Sequence, residues 1–317
     1  MLNATRNGVV LCLDSHYVWP ACVTIRSLVR SWRGKRPIIV YCLCDASVGS
    51  DHLAALKAVA VSGPGRLRVI QRPFMFPDMR IGYITPMGYA RLIAAQLIDA
   101  EFLLYLDCDM LACASVDRLF RPIAGDCPIA AARDPYIPEL GTPHVEQSRF
   151  PLGDRNSLDP YFNSGLLLID VSRWRSERLS QRAMELVSNV TWRPLFGDQD
   201  TLNFLVEGRF ELLDPRWNVM PVSVIQRTLD FTFYGERYTP MPYQRSLEQS
   251  PWIMHYATEV KPWTTSFADG PLRRRWENVA AEAAEAIAVA GVALPFVETE
   301  VRPAATGTGP DDTRTDR

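Results

Sequence analysis

The stretch "FLLYLDCDML", residues 102–111, runs from apolar and aromatic residues straight into a pair of acids. An apolar and aromatic run from Phe102 to Leu106 has the composition of a buried strand, and it ends in two carboxylates, Asp107 and Asp109, one residue apart. Burying either charge is costly unless something pairs with it. Side chains two apart on extended backbone share a face, and a local turn lets both oxygens reach one hard cation. Two acids at a loop edge are also an ordinary solvated turn, so the reading depends on what surrounds them.

Working outward, "GYARLIAAQLID" reads as a helix feeding directly into this strand. Before it, "GVVLCLD" is a short buried strand, "WPACVTIRSLVRSW" a helix and "RPIIVYCLCD" a second buried strand. "SDHLAALKAVAV" is a helix opening at a Ser or Asp cap, and "RLRVIQRP" a third, shorter strand. Such alternation predicts an α/β fold, a mostly parallel central sheet with helices on both faces. Ligands of open α/β sheets gather at the carboxyl ends of strands, where Asp14, Asp45, Asp107 and Asp109 all fall.

The second half is less regular. "PIAAARDP" reads as a strand, "YFNSGLLLIDVSRWR" as a strand with a turn, "SERLSQRAMELVSNV" as a helix and "WIMHYATEVKPW" as a last buried strand. "GPLRRRWENVAAEAAEAIAVAG" is a helix with Pro271 near its start, where a missing N–H costs nothing. The end of the chain, "RPAATGTGPDDTRTDR", lacks core-forming residues. The expected organisation is one domain over 1–290 and a disordered tail over 291–317.

The chain has 317 residues, 47% of them hydrophobic, enough to bury a full core without disulfides. A formal net charge of -2 leaves no electrostatic footprint for nucleic acid. Of the seven cysteines, Cys12, Cys42, Cys44, Cys108 and Cys113 sit in apolar runs and read as reduced core thiols. The N-terminus has no cleavage pattern of a signal peptide, and no segment is apolar for long enough to span a bilayer. The expected location is cytoplasmic, with peripheral contact to the inner membrane face left open.

Taken in order, "YARL", "LYLDCDM", "YFNSGLLLID", "DQDTLN" and "HYATEVKPW" resemble glycosyltransferase family 8, over roughly residues 9–265. This family of retaining nucleotide-sugar transferases with the GT-A fold includes bacterial galactosyl- and glucosyltransferases and glycogenin. The resemblance implies that Asp107, Asp109 and His255 bind manganese, with magnesium the alternative, bridging the diphosphate of a UDP-sugar. It implies that Lys261 contacts the diphosphate and that Asp14 meets the uracil and ribose. His16 stands where the family usually has Asn, so a nucleotide contact there competes with a plain loop position. Arg91 corresponds to an arginine bridging the donor sugar and neighbouring acids, and Asp134, Asn163, Asp198 and Gln199 to residues around the sugar. Thr258 stands where the family commonly has Gly, a change that restricts backbone approach to a ligand.

The implied activity is transfer of a hexose, glucose or galactose, to a glycan or small-molecule acceptor with retention of configuration. Gln199 matches the family residue beneath the anomeric carbon, and Asp198 is its neighbour. An amide oxygen is a poor nucleophile but stabilises positive charge, which favours departure and attack on one face. The acceptor is expected against the loops at 74–88, 136–160 and 221–250. For Asp200, capping the helix that begins "TLNFL" is an equally good reading. Two other readings remain, a haloacid-dehalogenase-like phosphatase and a sugar-nucleotide-binding protein without turnover. The motif follows three strands rather than one, which argues against the first; retention of both acids, His255 and Lys261 argues against the second.

Overall fold

The computed structural model describes residues 7–74, 76, 85–143, 145, 155–189, 191–192, 194–228 and 233–294. Most of the expected tail, 295–317, and parts of all three expected acceptor loops lie outside these residues.

Seven strands form the main sheet: β1 (Gly8–Leu13), β2 (Ile38–Cys44), β3 (Gly65–Gln71), β4 (Phe102–Leu106), β6 (Ile129–Arg133), β7 (Phe162–Asp170) and β8 (Phe210–Leu212), in the order 3-2-1-4-7-6-8. All of them run one way except β7, which is antiparallel to both β4 and β6. The sheet is therefore mostly parallel, as expected. At seven residues, β3 is as long as β2 rather than shorter.

The central strands read as continuous apolar runs because both faces are covered. Val9, Leu11, Val40, Cys42, Leu104 and Leu106 point to one side, into a core shared with α1 (Val18–Ser31), α2 (Ser50–Val61) and the long α9 (Pro271–Val289). Their alternates Val10, Tyr41, Leu43, Leu103 and Tyr105 point to the other. There they pack with α3 (Arg91–Leu97), α4 (Val171–Ser176), α5 (Leu179–Val187) and α6 (Asp198–Leu205). Each fully buried Leu or Val contributes roughly 1.5–3 kcal/mol, so this two-sided burial fixes the register of the strands.

After β4 the chain turns through Asp107–Asp109 and re-enters as a short strand, β5 (Met110–Ala112), antiparallel to β9 (Ile253–His255). Thr24 Oγ1 of α1 lies 2.7 Å from the carbonyl oxygens of both Cys108 and Met110, holding the turn against the helix. Helices α7 (Val222–Thr228) and α8 (Met241–Gln249) lie between β8 and β9.

Several local expectations are corrected. Ser50 is the first residue of α2, whose cap is Gly49 with its N–H donated to His52 Nδ1, so neither Ser50 nor Asp51 caps it. The segment after β7 is the helix α4 and not a turn, capped by Asp170, whose side chain accepts from Arg173 N–H. The last strand is only three residues long and belongs to a separate two-stranded sheet, because its partner is β5 rather than the main sheet. Cys12, Cys42, Cys44 and Cys108 are buried free thiols, whereas Cys113 is exposed. No described helix is long and apolar enough to cross a membrane.

Candidate active site

The site forms where β4 and β9 end and β7 begins. Pairing of β5 with β9 sets Met110 opposite His255, and Tyr256 N–H donates to the Asp109 carbonyl at 3.0 Å. These contacts bring an imidazole from late in the chain against the two acids. His255 Nε2 lies 3.3 Å from Asp109 Oδ1 and 3.6 Å from Asp107 Oδ2.

Each acid is held by one oxygen and leaves the other facing inward. Asp107 Oδ1 accepts from Tyr105 O–H at 2.5 Å and pairs with Arg91 Nη2 at 2.9 Å. Asp109 Oδ2 pairs with Lys261 Nζ at 2.5 Å, and Lys261 also donates to the Tyr256 carbonyl. Asp109 Oδ1 is buried and has no hydrogen-bond partner among the described residues. Burial opposes ionisation of Asp109 more than any single contact supports it, yet the carboxyl is held well below the usual carboxylate range, the Lys261 ammonium being the largest contact that does so. A buried, ionised and half-unsatisfied carboxylate is costly without a cation.

One oxygen of each acid and one nitrogen of His255 lie within 4.8 Å of one another. Two carboxylates with one imidazole suit a hard or borderline divalent ion such as manganese or magnesium. The orphaned oxygen and the donor set therefore fit the expected metal.

Gly165, in the interior of β7, makes this convergence possible. A Cβ there would lie 2.4 Å from His255 Cε1 and 2.8 Å from Asp107 Oδ2. The glycine is needed for close approach, the usual reason for one inside a strand.

Beside the acids, Arg91 joins the two halves of the site. Its Nη2 reaches Asp107, its Nε lies 3.0 Å from Asp198 Oδ2, and its Nη1 donates to the Ser164 carbonyl at 3.0 Å. The guanidinium also lies over the Tyr105 ring, 4.5 Å from its centre. Burial pushes the Asp198 carboxyl up to about 6, against the downward pull of Arg91 and with Asp107 adding to the rise.

A cluster of amides forms the opposite wall. Asn163 donates to Asp134 Oδ2 at 3.0 Å and to Gln199 Oε1 at 2.9 Å, and Gln199 donates to Asp134 Oδ2 at 3.1 Å. Asp134 Oδ1 accepts from Tyr136 and Ile137 N–H. Burial raises the Asp134 carboxyl, opposed by these hydrogen bonds.

These groups line a cavity of about 340 Å³, with Phe196, Met220, Tyr136 and Ile137 as its apolar portion. Arg91, Asp107, Asp109, Asp134, Asn163, Asp198, Gln199, His255 and Thr258, all predicted from the sequence, are on its wall. Lys261 is not; it stands behind Asp109. Near β1, Cys12 and Tyr17 reach the wall, while Asp14 and His16 do not. The His16 imidazole is 70% exposed, 3.6 Å from Asp14 Oδ1, and Asp14 accepts from His16 N–H. Thr258 adopts φ of 80°, the left-handed region where a β-branched residue is strained.

Asp200 does not cap a helix beginning at Thr201. The helix α6 begins at Asp198, and the Asp200 carboxylate accepts from Leu195 and Phe196 N–H and from Tyr161 O–H. It thereby fixes the loop that carries Phe196 to the cavity. Sequence reading also missed Tyr105, Ser164, Gly165 and Asn218. For Gly165 a signal existed, a glycine within an otherwise apolar strand; the others are marked by nothing local.

Comparison with known proteins agrees with this geometry. The model of "Glycosyl transferase family 8" matches residues 8–266. Glycosyltransferase GlyF of Streptococcus pneumoniae is 26% identical over 86% of this chain, which covers 60% of GlyF. The general stress protein A of Bacillus subtilis is 22% identical over 81% of this chain and 87% of its own length. The lipopolysaccharide 1,2-glucosyltransferase of Escherichia coli K12 is 27% identical over 55% of this chain and 48% of its own. The chain thus spans about three fifths of the length of GlyF and of its S. pneumoniae relative GlyE. A crystal structure of the galactosyltransferase LgtC in complex with donor and acceptor sugar analogues is 25% identical, with a TM-score of 0.68 over 87% of this chain and 95% of that one. The bifunctional glycosyltransferase WbbM has a TM-score of 0.71 over 91% of this chain and 52% of its own, at 20% identity, a likeness of fold. The expected GT-A fold class is borne out.

Proposed function

Because the chain belongs to glycosyltransferase family 8, we propose that it moves a hexose, glucose or galactose, from a UDP-sugar to a glycan or small-molecule acceptor with retention. Asp107, Asp109 and His255 would hold the divalent ion, manganese or magnesium. The observation that carries the reading is the buried, unpartnered Asp109 Oδ1 facing His255 Nε2 across from Asp107 Oδ2. When bound, the ion supplies Lewis-acid neutralisation of the departing diphosphate.

The rest is done by the chain's own groups. Arg91 bridges Asp107 and Asp198 and holds them apart, so that one carboxylate faces the ion and the other the sugar. Asp134, Asn163 and Gln199 present the mixed acceptors and donors that a hexose, with several hydroxyls, requires. The cavity's apolar portion gives a sugar ring a face to rest on, and excluding water there protects the donor from hydrolysis. Asp14 and His16 flank the strand end at which the nucleoside is expected, and Thr258 and Lys261 the diphosphate end.

The internal bonding supports departure and attack on one face over a covalent intermediate. Gln199 Oε1 already accepts from Ser164 N–H at 3.0 Å and from Asn163, which lowers the electron density a nucleophile needs. Asp198 Oδ2 is engaged by both Arg91 and Ser164 Oγ. Each carries the complementary role, stabilising positive charge at the anomeric carbon.

The test is a panel of UDP-hexoses assayed for UDP release, with the ion supplied or chelated, and NMR of the anomeric configuration of the product. Metal-dependent release with a retained anomer is expected. Binding of a UDP-hexose without release would instead establish the second reading, a sugar-nucleotide-binding protein without turnover. Trapping a sugar on Gln199 or Asp198 by mass spectrometry would overturn the one-face route. We propose that turnover takes place in the cytoplasm, with membrane contact depending on the acceptor.

A further inference from the structure

We infer that Asn218 is a positioning residue that holds the proton of His255 on Nδ1 and so turns the lone pair of Nε2 toward Asp107 and Asp109. The inference deepens the metal reading given above and rests on it for its purpose, but its geometry stands independently.

Asn218 lies 4% exposed at the end of the short helical turn Pro215–Asn218 that precedes β9. Its Oδ1 is 2.9 Å from His255 Nδ1, and its Nδ2 donates to Asn163 Oδ1 at 2.8 Å. Side-chain amides are ambiguous by rotation, so such a chain of bonds has meaning only if some member is anchored to a group whose polarity is known. Two backbone N–H groups of β7 supply that anchor. Gly165 N–H donates to Asn163 Oδ1 at 3.0 Å, which makes that atom the oxygen. Ser164 N–H donates to Gln199 Oε1 at 3.0 Å, which fixes the second amide in the same sense. Asn163 Nδ2 then faces only acceptors, Asp134 Oδ2 and Gln199 Oε1.

The consequence passes outward in one direction. Since Asn163 Oδ1 is an acceptor, the Asn218 atom facing it is the NH₂ group. The Asn218 atom facing the imidazole is therefore its carbonyl oxygen. An oxygen with no proton 2.9 Å from Nδ1 requires the proton to be on Nδ1. The neutral ring then carries its only lone pair on Nε2, the atom 3.3 Å from the orphaned Asp109 Oδ1. A ligating histidine needs this arrangement, with its other nitrogen donating to a fixed acceptor. Here the acceptor is itself held by the amides that line the opposite wall of the cavity. The same network ties the orientation of the metal-side imidazole to the Asp134–Asn163–Gln199 wall.

The test uses the full chain labelled with ¹⁵N-histidine, stripped of metal at pH about 8.5, with the His255 signals assigned by comparison with His255→Gln. Wild type is expected to carry a proton on Nδ1 of His255; a bare Nδ1 with the proton on Nε2 alone would overturn the inference. Asn218→Leu, of similar volume, removes the acceptor and is expected to move the proton to Nε2 and to weaken Mn²⁺ binding, read by electron paramagnetic resonance of the free ion, by about 10–100-fold. Asn218→Asp keeps an acceptor toward Nδ1 and is expected to restore the tautomer and most of the affinity. Unchanged tautomer and unchanged affinity in Asn218→Leu would contradict the assignment. If Asn218→Leu does not fold, the wild-type and Asn218→Asp spectra still decide, since both must show Nδ1–H. Loss of transfer activity plays no part in either readout, so a failure of the transferase reading and a failure of this inference are distinguishable.

Discussion

Gly165 passes so close to His255 that a Cβ on it would lie 2.4 Å from the imidazole Cε1. The main sheet and the two-stranded sheet meet at this point, so the spacing between β7 and β9 is set by the absence of a single methyl group. Gly165→Ala forces either the imidazole or Asp107 to move, and overpacking of this kind costs about 1–3 kcal/mol. The expected result is a folded protein with Mn²⁺ affinity lowered at least about tenfold, as a displaced ligand implies. Calorimetric titration of the ion checks it, and wild-type affinity in the variant would contradict the geometry.

Asp109 and Lys261 form a buried pair, the lysine being only 5% exposed. Removing one partner strands the other, at a cost of roughly 3–5 kcal/mol. Asp109→Asn should therefore lose transfer and also melt at a lower temperature. Adding Lys261→Met should recover much of the stability while leaving activity absent. Thermal melts of the two variants beside UDP-release assays separate the effects; if the double variant melts no higher than the single one, the pair is not what the fold depends on.

Asp198 predicts a pH dependence of stability. Its folded-state value of about 6 lies above the ordinary 3.8, chiefly through burial. Between those values the native state keeps a proton that the unfolded chain has lost, so this group's contribution to stability falls as pH rises through the window. Asp198→Asn does not titrate. Relative to wild type, the variant should gain about 2 kcal/mol between pH ~4 and ~7, whatever its stability at the lower pH. Denaturant unfolding of the metal-stripped proteins at the two values measures this, and a wild type that gains on the variant with rising pH would reverse the sign.

Thr258 holds a left-handed backbone, φ of 80°, that glycine adopts freely. Such strain costs on the order of 1–3 kcal/mol, partly offset by the greater chain entropy of glycine when unfolded. Thr258→Gly should raise the unfolding free energy by about 1 kcal/mol. A denaturation midpoint below that of wild type would mean that the threonine side chain makes contacts that outweigh the strain.

The sheet was readable because its central strands are buried on both faces and so appear as unbroken apolar runs, "VVLCL", "IIVYCLC" and "FLLYL". The acids at the strand ends were readable for a related reason, since Asp107 and Asp109 interrupt such a run where nothing structural demands a charge. Shorter elements were not. Strand β9 is defined by its partner β5, far away in sequence, and three residues carry no periodicity of their own. Asn218, Ser164 and Tyr105 enter the site through side-chain hydrogen bonds across the sheet, which no local pattern marks. Lys261 was recognised by its motif, but only the packing places it behind Asp109 instead of on the cavity wall.

In the proposed reaction Asp107, Asp109 and His255 take up a divalent ion together with a uridine diphosphate. Calorimetric titration of UDP into metal-stripped protein, repeated after addition of Mn²⁺, tests this most directly. Saturable uptake that depends on Mn²⁺ and disappears in Asp109→Asn is expected. Equal uptake with and without the ion, or none under either condition, would contradict the proposed role of the three residues.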